Sequence, residues 1–254
     1  MIMRYDGLSL SMGIGTDEAG RGPVMGPLVV ASAYCIDTDG LKEMGVRDSK
    51  ILSPKKRREL MEAFHGKVSI GSIIIPAESI DNARKKMTMN RLEVLAFASS
   101  LASVIEGGAV LHPDLPDGAR SSYSGSTKGK GPVMLDAADV DENRFGREVG
   151  KELEKLIGSP VPSIVSRHKA DGSDVSVGAA SIAAKVIRDS EIERIKGEIG
   201  IDIGSGYPGD PVTRRFLSDW VEEHGKLPPE CRNSWETARK LISKGNQSDI
   251  FSFC

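Results

Sequence analysis

Residues 15–33 constrain the fold of this chain more than any other stretch. Two adjacent acids, Asp17 and Glu18, follow a short apolar run and precede a glycine-rich turn. A continuous apolar and β-branched run over residues 27–34 follows, which is typical of a buried central strand. Two carboxylates at such a junction repel each other unless a cation neutralises them. The stretch therefore predicts two strands that pair through a turn, with a cation site beside the turn.

The rest of the chain alternates strands and helices, which predicts an α/β fold with a mixed central sheet flanked by helices. The first three strands have links suited to antiparallel pairing, and helices join the later ones. The expected strands cover residues 11–16, 27–34, 67–75, 133–135 and 161–166. The first expected helix begins at Ser53-Pro54, with Ser53 as its N-cap. The other expected helices cover residues 77–86, 90–105, 141–157, 174–199, 211–224 and 234–243.

A chain of 254 residues is long enough for one large domain and a small appendage. We expect an α/β domain over residues 1–200, a small C-terminal helical region over 201–244, and a flexible tail over 245–254. Residues 112–131 are rich in glycine, serine and proline and lack apolar periodicity, so they predict a flexible surface insertion. The alternative is a lid or a loop that touches substrate.

Composition narrows the class of protein. A net charge of −2 argues against a protein that holds polyanions by bulk charge alone, but it leaves room for a local basic groove. Three widely spaced cysteines form neither a metal-binding spacing nor an even disulfide set, which favours a reducing cytoplasm. We expect neither a signal peptide nor a membrane span. Nothing in the periodicity demands an oligomer, so we expect a monomer.

Four acids lie next to predicted strand ends: Asp17, Glu18, Asp136 and Asp171. Open α/β sheets bind ligands at strand ends, and carboxylates suit Mg²⁺ or Mn²⁺ rather than zinc. Two such ions about 4 Å apart can stabilise the attacking and leaving oxygens of a phosphodiester. Three of these acids also have a local alternative: a turn cap for Asp17, a helix N-cap for Asp136, and a turn residue for Asp171.

The segment Asp17-Glu18-Ala19-Gly20-Arg21-Gly22-Pro23 resembles the signature of the type 2 ribonucleases H, ribonuclease HII, and looks most like archaeal members. The similarity extends from about residue 12 to 242. Five further segments match in the same order: Arg47-Asp48-Ser49-Lys50, Asp136-Ala137-Ala138-Asp139-Val140, His168-Lys169-Ala170-Asp171, residues 179–189, and Gly204-Ser205-Gly206-Tyr207-Pro208.

This resemblance implies a ribonuclease H-like fold with a small C-terminal helical region. It implies an endonuclease that cleaves the RNA strand of RNA–DNA hybrids and incises at single ribonucleotides embedded in duplex DNA. The products would carry 5′-phosphate and 3′-hydroxyl ends, and the cofactors would be two Mg²⁺ or Mn²⁺ ions.

The resemblance also assigns roles to residues. It implies that the metal-binding, catalytic carboxylates are Asp17, Glu18, Asp136 and Asp171, with Asp174 as an alternative to Asp171. It implies that the loop Gly20, Arg21 and Gly22 contacts the ribose 2′-hydroxyl, and that Tyr207 stacks near the ribose at the RNA–DNA junction. Further candidates for substrate contact are Lys50, His168, Lys169, Ser181 and Lys185, and a solvated or structural role is the alternative for each.

The last eight residues resemble a sliding-clamp-binding box. Gln247, Ile250 and Phe253 fit that pattern, whereas Cys254 stands where a second aromatic residue is usual. An apolar tail on a soluble surface otherwise needs an explanation, and the alternative is that it docks onto its own core.

Two other functions stay open at this stage. One is a different two-metal nuclease or phosphotransferase on the same sheet, such as a resolvase-like enzyme. The other is a nucleic-acid-binding module without catalysis. Four clustered acids argue against the second, because negative charge weakens the binding of a polyanion.

Overall fold

A mixed sheet between two layers of helices forms the centre of the molecule. The computed structural model describes residues 2–5, 8–46 and 49–251, with side chains over 12–46 and 49–243. The strands are β1 (Ile2–Tyr5), β2 (Leu8–Ser11), β3 (Gly13–Ala19), β4 (Leu28–Cys35), β5 (Val68–Ile75), β6 (Arg120–Ser124), β7 (Val133–Asp136) and β8 (Ile164–Arg167). The α-helices are α1 (Thr38–Glu43), α2 (Pro54–Ala63), α3 (Ala77–Ala83), α4 (Met89–Glu106), α5 (Glu142–Ile157), α6 (Val175–Ile199), α7 (Pro211–His224) and α8 (Glu236–Phe251).

The central sheet has the strand order β6-β5-β4-β3-β7-β8. Antiparallel pairing joins β3 to β4, β4 to β5 and β5 to β6, whereas β3, β7 and β8 run parallel. The predicted mixed sheet is therefore confirmed. The parallel half is connected through helices, as parallel strands require, and it aligns the ends of β3 and β7 at one edge.

Both faces of the central strand β4 are buried, which accounts for its unbroken apolar sequence. Leu28 and Val30 pack into the core formed with α4 and α5, and Val29 and Ala31 pack into the core formed with α2 and α6. Helix α6 approaches β3 very closely. A Cβ atom on Gly15 would lie 2.1 Å from the backbone of α6, so glycine is needed where the helix starts.

A third apolar cluster joins the C-terminal helices to the loop after β3. It contains Val24 and Met25 from that loop, together with Phe216 and Leu217 of α7. Met25 also forms a short antiparallel bridge with Cys231, which lies between α7 and α8. The C-terminal region is therefore packed directly against the loop that continues from the acid pair.

The structure corrects several sequence predictions. Within residues 112–131, which we predicted to be a flexible insertion, Arg120–Ser124 forms the edge strand β6 and pairs with β5. Three of its five residues are serines, so the strand has no apolar pattern in the sequence. Backbone hydrogen bonds to β5, rather than burial of apolar side chains, stabilise it. The antiparallel pair of β1 with β2 and the short helix α1 were also missed.

The predicted end of the last helix, at Ser243, is wrong. Helix α8 continues through Phe251, so the backbone of residues 245–251, in the predicted tail, is helical. Gly245-Asn246 is a helix-stop signal by composition, but here the helix continues across it. Among the helices of the described residues, none is long and apolar enough to cross a membrane.

Candidate active site

The acid pair lies inside strand β3 rather than after its end. The strand extends to Ala19, three residues beyond the predicted boundary, so Asp17 and Glu18 occupy successive strand positions. Successive side chains on a strand point to opposite faces of the sheet. Gly15 faces α6, and Asp17, two residues on, shares that face, whereas Glu18 lies within reach of the charges of Glu93 in α4 and of Asp136. No turn separates Asp17 from Glu18, and the backbone turns only after Ala19, at Gly20.

Three of the four predicted carboxylates come together. Asp17 in β3, Asp136 at the end of β7 and Asp171 in the turn after β8 have carboxylate oxygens that lie within 4.8 Å of one another. The parallel pairing of β3 with β7 and of β7 with β8 brings the three segments to one edge of the sheet. Glu18 is not a member of this group.

Hydrogen bonds orient the members of this cluster. The backbone N–H of Ala170 donates to Asp136 Oδ1 at 3.1 Å, and the backbone N–H of Glu18 donates to Asp17 Oδ1 at 2.7 Å. Asp174, the alternative to Asp171, is instead the N-cap of α6 and accepts from the N–H of Val177 at 3.1 Å. It therefore stabilises the helix start and lies outside the cluster.

The cluster carries unfavourable negative charge. Burial raises the pKa of Asp17, although the nearby Lys185 ammonium opposes this shift. Burial, followed by the charge of Asp17, raises the pKa of Asp136 to about 6. Burial and the charges of Asp17 and Glu93 also hold the pKa of Glu18 well above its usual range. Bound divalent cations would relieve this repulsion, and three carboxylates supply the oxygen ligands that Mg²⁺ and Mn²⁺ prefer. The residues present therefore fit a divalent metal ion.

Two lysines and two serines surround the carboxylates. Lys50 Nζ lies 2.9 Å from Asp171 Oδ2, and Lys185 Nζ donates to Ser181 Oγ at 2.7 Å. The Ser181 hydroxyl also hydrogen-bonds to the Ser49 hydroxyl at 2.7 Å. The structure therefore brings the predicted residues Lys50, Ser181 and Lys185 to the site. Arg47 and Asp48, which belong to the same motif as Lys50, lie outside the described residues.

The other two predicted phosphate contacts precede Asp171 on an exposed turn. The backbone N–H of His168 donates to Glu142 Oε1 at 2.6 Å, which fixes the start of the turn. Lys169 adopts a left-handed backbone conformation with φ of 58°, which is unusual for a residue with a side chain. Both side chains are exposed, and neither joins the carboxylate cluster.

The predicted ribose-contacting loop follows directly after Ala19. Gly20 has a φ of 91°, and a Cβ atom there would lie 2.4 Å from the Pro27 carbonyl oxygen, so only glycine fits without strain. The Arg21 guanidinium is held by Asn90 Oδ1 at 2.9 Å and by Glu93 Oε1 at 3.3 Å. It also donates to the carbonyl of Ala138.

Tyr207 stands next to that loop. Tyr207 is 43% exposed, and a Cβ atom on Gly22 would lie 3.9 Å from its ring. The Arg188 guanidinium carbon is 5.0 Å from the ring centroid and supports the ring from the protein side. The neighbouring Gly206 carbonyl accepts from the N–H groups of Val24 and Met25. The tyrosine and the glycine loop are therefore parts of one packed unit.

Sequence reasoning missed two buried charged residues that contact this unit. Glu93 is fully buried in α4 beside Arg21, and burial raises its pKa to about 8. A single acid inside an otherwise apolar helical run was its only signal in the sequence. Arg232 is fully buried between α7 and α8, and its partners are about 210 residues away in the sequence. No local pattern indicated it.

The clamp-like residues belong to the C-terminal end of the chain. Gln247 and Ile250 lie on the last turns of α8, where only the backbone is described, and Phe253 lies outside the described residues.

Comparisons with known proteins agree with the resemblance in the motifs. The sequence model of the family described as "Ribonuclease HII" matches residues 14–116 and 126–238. The unmatched residues 117–125 contain β6. Ribonuclease HII from Thermococcus sibiricus is 44% identical over 247 residues, which cover 94% of this chain and 96% of that protein.

Solved structures agree with this result. The crystal structure of ribonuclease H2 from Pyrococcus horikoshii matches with a TM-score of 0.75 and 33% identity, covering 93% of this chain and all of that one. A ribonuclease HII from Archaeoglobus fulgidus, solved in complex with PCNA, matches with a TM-score of 0.71 and 34% identity over 91% of this chain and 96% of that one. The predicted ribonuclease H-like fold is therefore confirmed. The chain belongs to the ribonuclease HII family, whose members are endonucleases that hydrolyse the RNA strand of RNA–DNA hybrids.

Proposed function

We propose that this chain cleaves both RNA–DNA hybrids and duplex DNA with a single embedded ribonucleotide, using two Mg²⁺ or Mn²⁺ ions. The products carry 5′-phosphate and 3′-hydroxyl ends. The observation that supports this proposal most is the convergence of the three carboxylates of Asp17, Asp136 and Asp171 within 4.8 Å. Gly22, in the loop that follows β3, is exposed and lies beside the exposed Tyr207.

In this proposal Asp17, Asp136 and Asp171 hold the metal ions. Glu18 is the fourth ligand, and its carboxylate is close enough for the charge of Asp136 to raise its pKa. When bound, the ions supply charge stabilisation for the phosphate and activate the attacking water. The Lys50 ammonium, 2.9 Å from Asp171 Oδ2, would contact a phosphate held beside the carboxylates.

The remaining predicted residues bind the substrate. Lys185, His168 and Lys169 present cationic or hydrogen-bonding groups near the cluster for the phosphate backbone. The Gly20–Gly22 loop contacts the 2′-hydroxyl, which is the feature that distinguishes RNA from DNA at one position. Tyr207 stacks on the sugar beside it. Ser181 orients Lys185 through their 2.7 Å hydrogen bond.

The decisive experiment uses a DNA duplex that carries one ribonucleotide, incubated with Mg²⁺ or Mn²⁺. We expect incision by the wild-type protein and a loss of at least about 100-fold in rate for Asp136→Asn. Asp139→Asn is the matched control, because Asp139 lies in the same segment but is held by Arg144 rather than by the cluster. Binding without incision by the wild type would favour the non-catalytic module. Unchanged incision by Asp136→Asn would refute the assignment of the site.

The number of metal ions is tested separately. Titration of Mn²⁺ into the protein with a non-cleavable duplex, followed by calorimetry, should give two ions per chain. Removal of any one of the three clustered carboxylates should reduce this number. A stoichiometry of one for the wild type would argue against the two-ion proposal.

We also propose that residues 247–254 bind a replication sliding clamp. The supporting observations are the pattern formed by Gln247, Ile250 and Phe253 and the similarity of this chain to a ribonuclease HII solved with PCNA. In the proposed complex these three side chains enter a pocket on the clamp.

Co-elution of the full chain with a purified archaeal clamp tests this interaction. Deletion of residues 247–254, or replacement of Ile250 and Phe253 by alanine, should abolish co-elution while hybrid cleavage continues unchanged. Replacement of Ser248 and Asp249, which lie between the motif positions, is the matched control. Co-elution that survives the deletion would exclude the tail as the binding segment.

We further propose that the chain acts as a monomer in the cytoplasm. The two described cysteines, Cys35 and Cys231, are unpaired and buried, which suits a reducing compartment. Light scattering during gel filtration should give a mass near 27.2 kDa. A mass near twice that value would contradict the monomer.

A further inference from the structure

Arg232 is a buried cation whose guanidinium makes four hydrogen bonds. It lies between α7 and α8 and is 0% exposed. Its guanidinium donates to three carbonyl oxygens of the loop after β3: Gly20 through Nη2 at 2.6 Å, Arg21 through Nη1 at 3.1 Å, and Gly26 through Nη2 at 2.8 Å and Nε at 3.0 Å. A planar fork of donors suits this task better than an ammonium group.

These contacts determine the direction of two peptide units. The described peptide bonds are all trans, and in a trans peptide the C=O and N–H groups point in opposite directions. The carbonyls of Gly20 and Arg21 point inwards to Arg232. The N–H groups in the same two peptide planes, which belong to Arg21 and Gly22, therefore point outwards from Arg232.

The outward N–H groups have the properties of a recognition site. Within the described residues, neither the Arg21 nor the Gly22 N–H donates a backbone hydrogen bond. Gly22 is exposed and lies beside the Tyr207 ring, so a ribose placed against Tyr207 brings its 2′-oxygen near these donors. A cation bound to each carbonyl also polarises the peptide unit and strengthens its N–H as a donor.

We infer that Arg232 is a positioning residue for ribose recognition: it binds the Gly20 and Arg21 carbonyls and thereby aims the Arg21 and Gly22 N–H groups at the 2′-hydroxyl. This inference rests on the proposed function, in which the Gly20–Gly22 loop contacts that hydroxyl. It adds that the residue enforcing discrimination between ribose and deoxyribose lies in the C-terminal region, more than 200 residues from the loop in the sequence.

The backbone contacts between the two segments do not depend on the Arg232 side chain. The N–H of Gly26 donates to the Glu230 carbonyl at 2.9 Å, and the N–H of Arg232 donates to the Val24 carbonyl at 2.8 Å. Substitution of the side chain therefore leaves the loop docked while it releases the two peptide planes. Arg232→Lys keeps the buried charge but loses the fork, and Arg232→Gln keeps only an amide donor.

The test measures discrimination as a ratio. The dissociation constants of two duplexes that differ only in one 2′-hydroxyl are compared, with Ca²⁺ in place of Mg²⁺ to suppress hydrolysis. In Arg232→Lys and Arg232→Gln we expect the preference for the ribonucleotide duplex to fall by about tenfold, as expected for the loss of one or two hydrogen bonds. Affinity for the all-DNA duplex and for Mn²⁺ should stay within about twofold. This ratio is insensitive to the fraction of folded protein.

Arg84→Lys is the matched control. The Arg84 guanidinium carbon also lies over the Trp235 ring, 5.7 Å from the ring centroid, and the corresponding distance for Arg232 is 4.9 Å. Arg84 has no contact with the loop carbonyls. An unchanged ratio in both Arg232 variants would overturn the inference. Complete unfolding of both variants, while Arg84→Lys folds, would overturn it in favour of a structural role. Failure of the wild type to incise the ribonucleotide duplex would instead refute the proposed function.

Discussion

The charge repulsion at the carboxylate cluster makes a prediction that does not need substrate. Without metal, Asp136→Asn should make the protein more stable at pH 8. Burial and the charge of Asp17 raise the pKa of Asp136 from 3.8 to about 6. Because the pKa is raised in the folded state, the contribution of the Asp136 carboxyl to the free energy of unfolding is fully present below pH 3.8. This contribution is lost as the pH rises through about 6. Asparagine removes this loss, and its amide oxygen can still accept from the Ala170 N–H.

The magnitude follows from the size of the shift. A difference of about two pKa units corresponds to about 3 kcal/mol as an upper limit. Asp136 is only partly buried, so solvent screening reduces this to about 1–2 kcal/mol. For a chain of this size, such a change raises the Tm by about 2–8 °C. At pH 4 the two proteins should melt within about 1 °C of each other.

The assay is thermal unfolding at several pH values, in EDTA and again in excess Mn²⁺. With Mn²⁺ the order should reverse, because a metal ion at 100 times its Kd adds about 2.7 kcal/mol to the wild type. Asp139→Asn is the control, and its Tm at pH 8 should change in the opposite direction. Hydrogen bonds from Arg144 hold the pKa of Asp139 below its usual value, so this variant should melt earlier at pH 8. A lower Tm for Asp136→Asn in EDTA at pH 8, or equal protection of both proteins by Mn²⁺, would refute the reasoning.

Four further substitutions have defined outcomes. Gly22→Ala should leave the Tm within about 1 °C and lower kcat/KM on the single-ribonucleotide duplex by about tenfold, whereas Gly20→Ala should lower the Tm because its Cβ atom would lie 2.4 Å from the Pro27 carbonyl oxygen. Glu93→Gln should reduce the fall in metal-free Tm between pH 5 and 8, since burial raises the pKa of this carboxyl to about 8 and its ionisation destabilises the fold across that range. Gly15→Ala should destabilise the fold by about 3 kcal/mol in denaturant titrations, because its Cβ atom would lie 2.1 Å from the backbone of α6. Equal Tm values for Gly20→Ala and Gly22→Ala would contradict the first prediction. An unchanged dependence of Tm on pH in Glu93→Gln, or a wild-type denaturation midpoint in Gly15→Ala, would contradict the other two.

The sequence by itself determined the features that depend on local pattern. The apolar run of β4 needs a sheet with both faces covered, and Ser53, Asp141 and Asp174 begin helices because their side chains accept from the first turn. The family also follows from the sequence, since six ordered motifs match one family and the comparisons agree with it. These features can be predicted because neighbouring residues carry all the required information.

Only the tertiary structure decided how the site is assembled. The pleat of β3 separates Asp17 from Glu18 although they are adjacent, and parallel pairing brings Asp136 and Asp171 to Asp17 from more than 100 residues away. Strand β6 forms because β5 offers an open edge, which its own serine-rich sequence does not indicate.

Arg232 is the clearest case of long-range dependence. Its role depends on three carbonyl groups, and a backbone carbonyl has the same chemistry in every residue. No local sequence pattern can therefore show which carbonyls a distant arginine will bind. The sequence determined which residues this protein carries for metal and ribose chemistry, and tertiary packing determined the direction in which each group points.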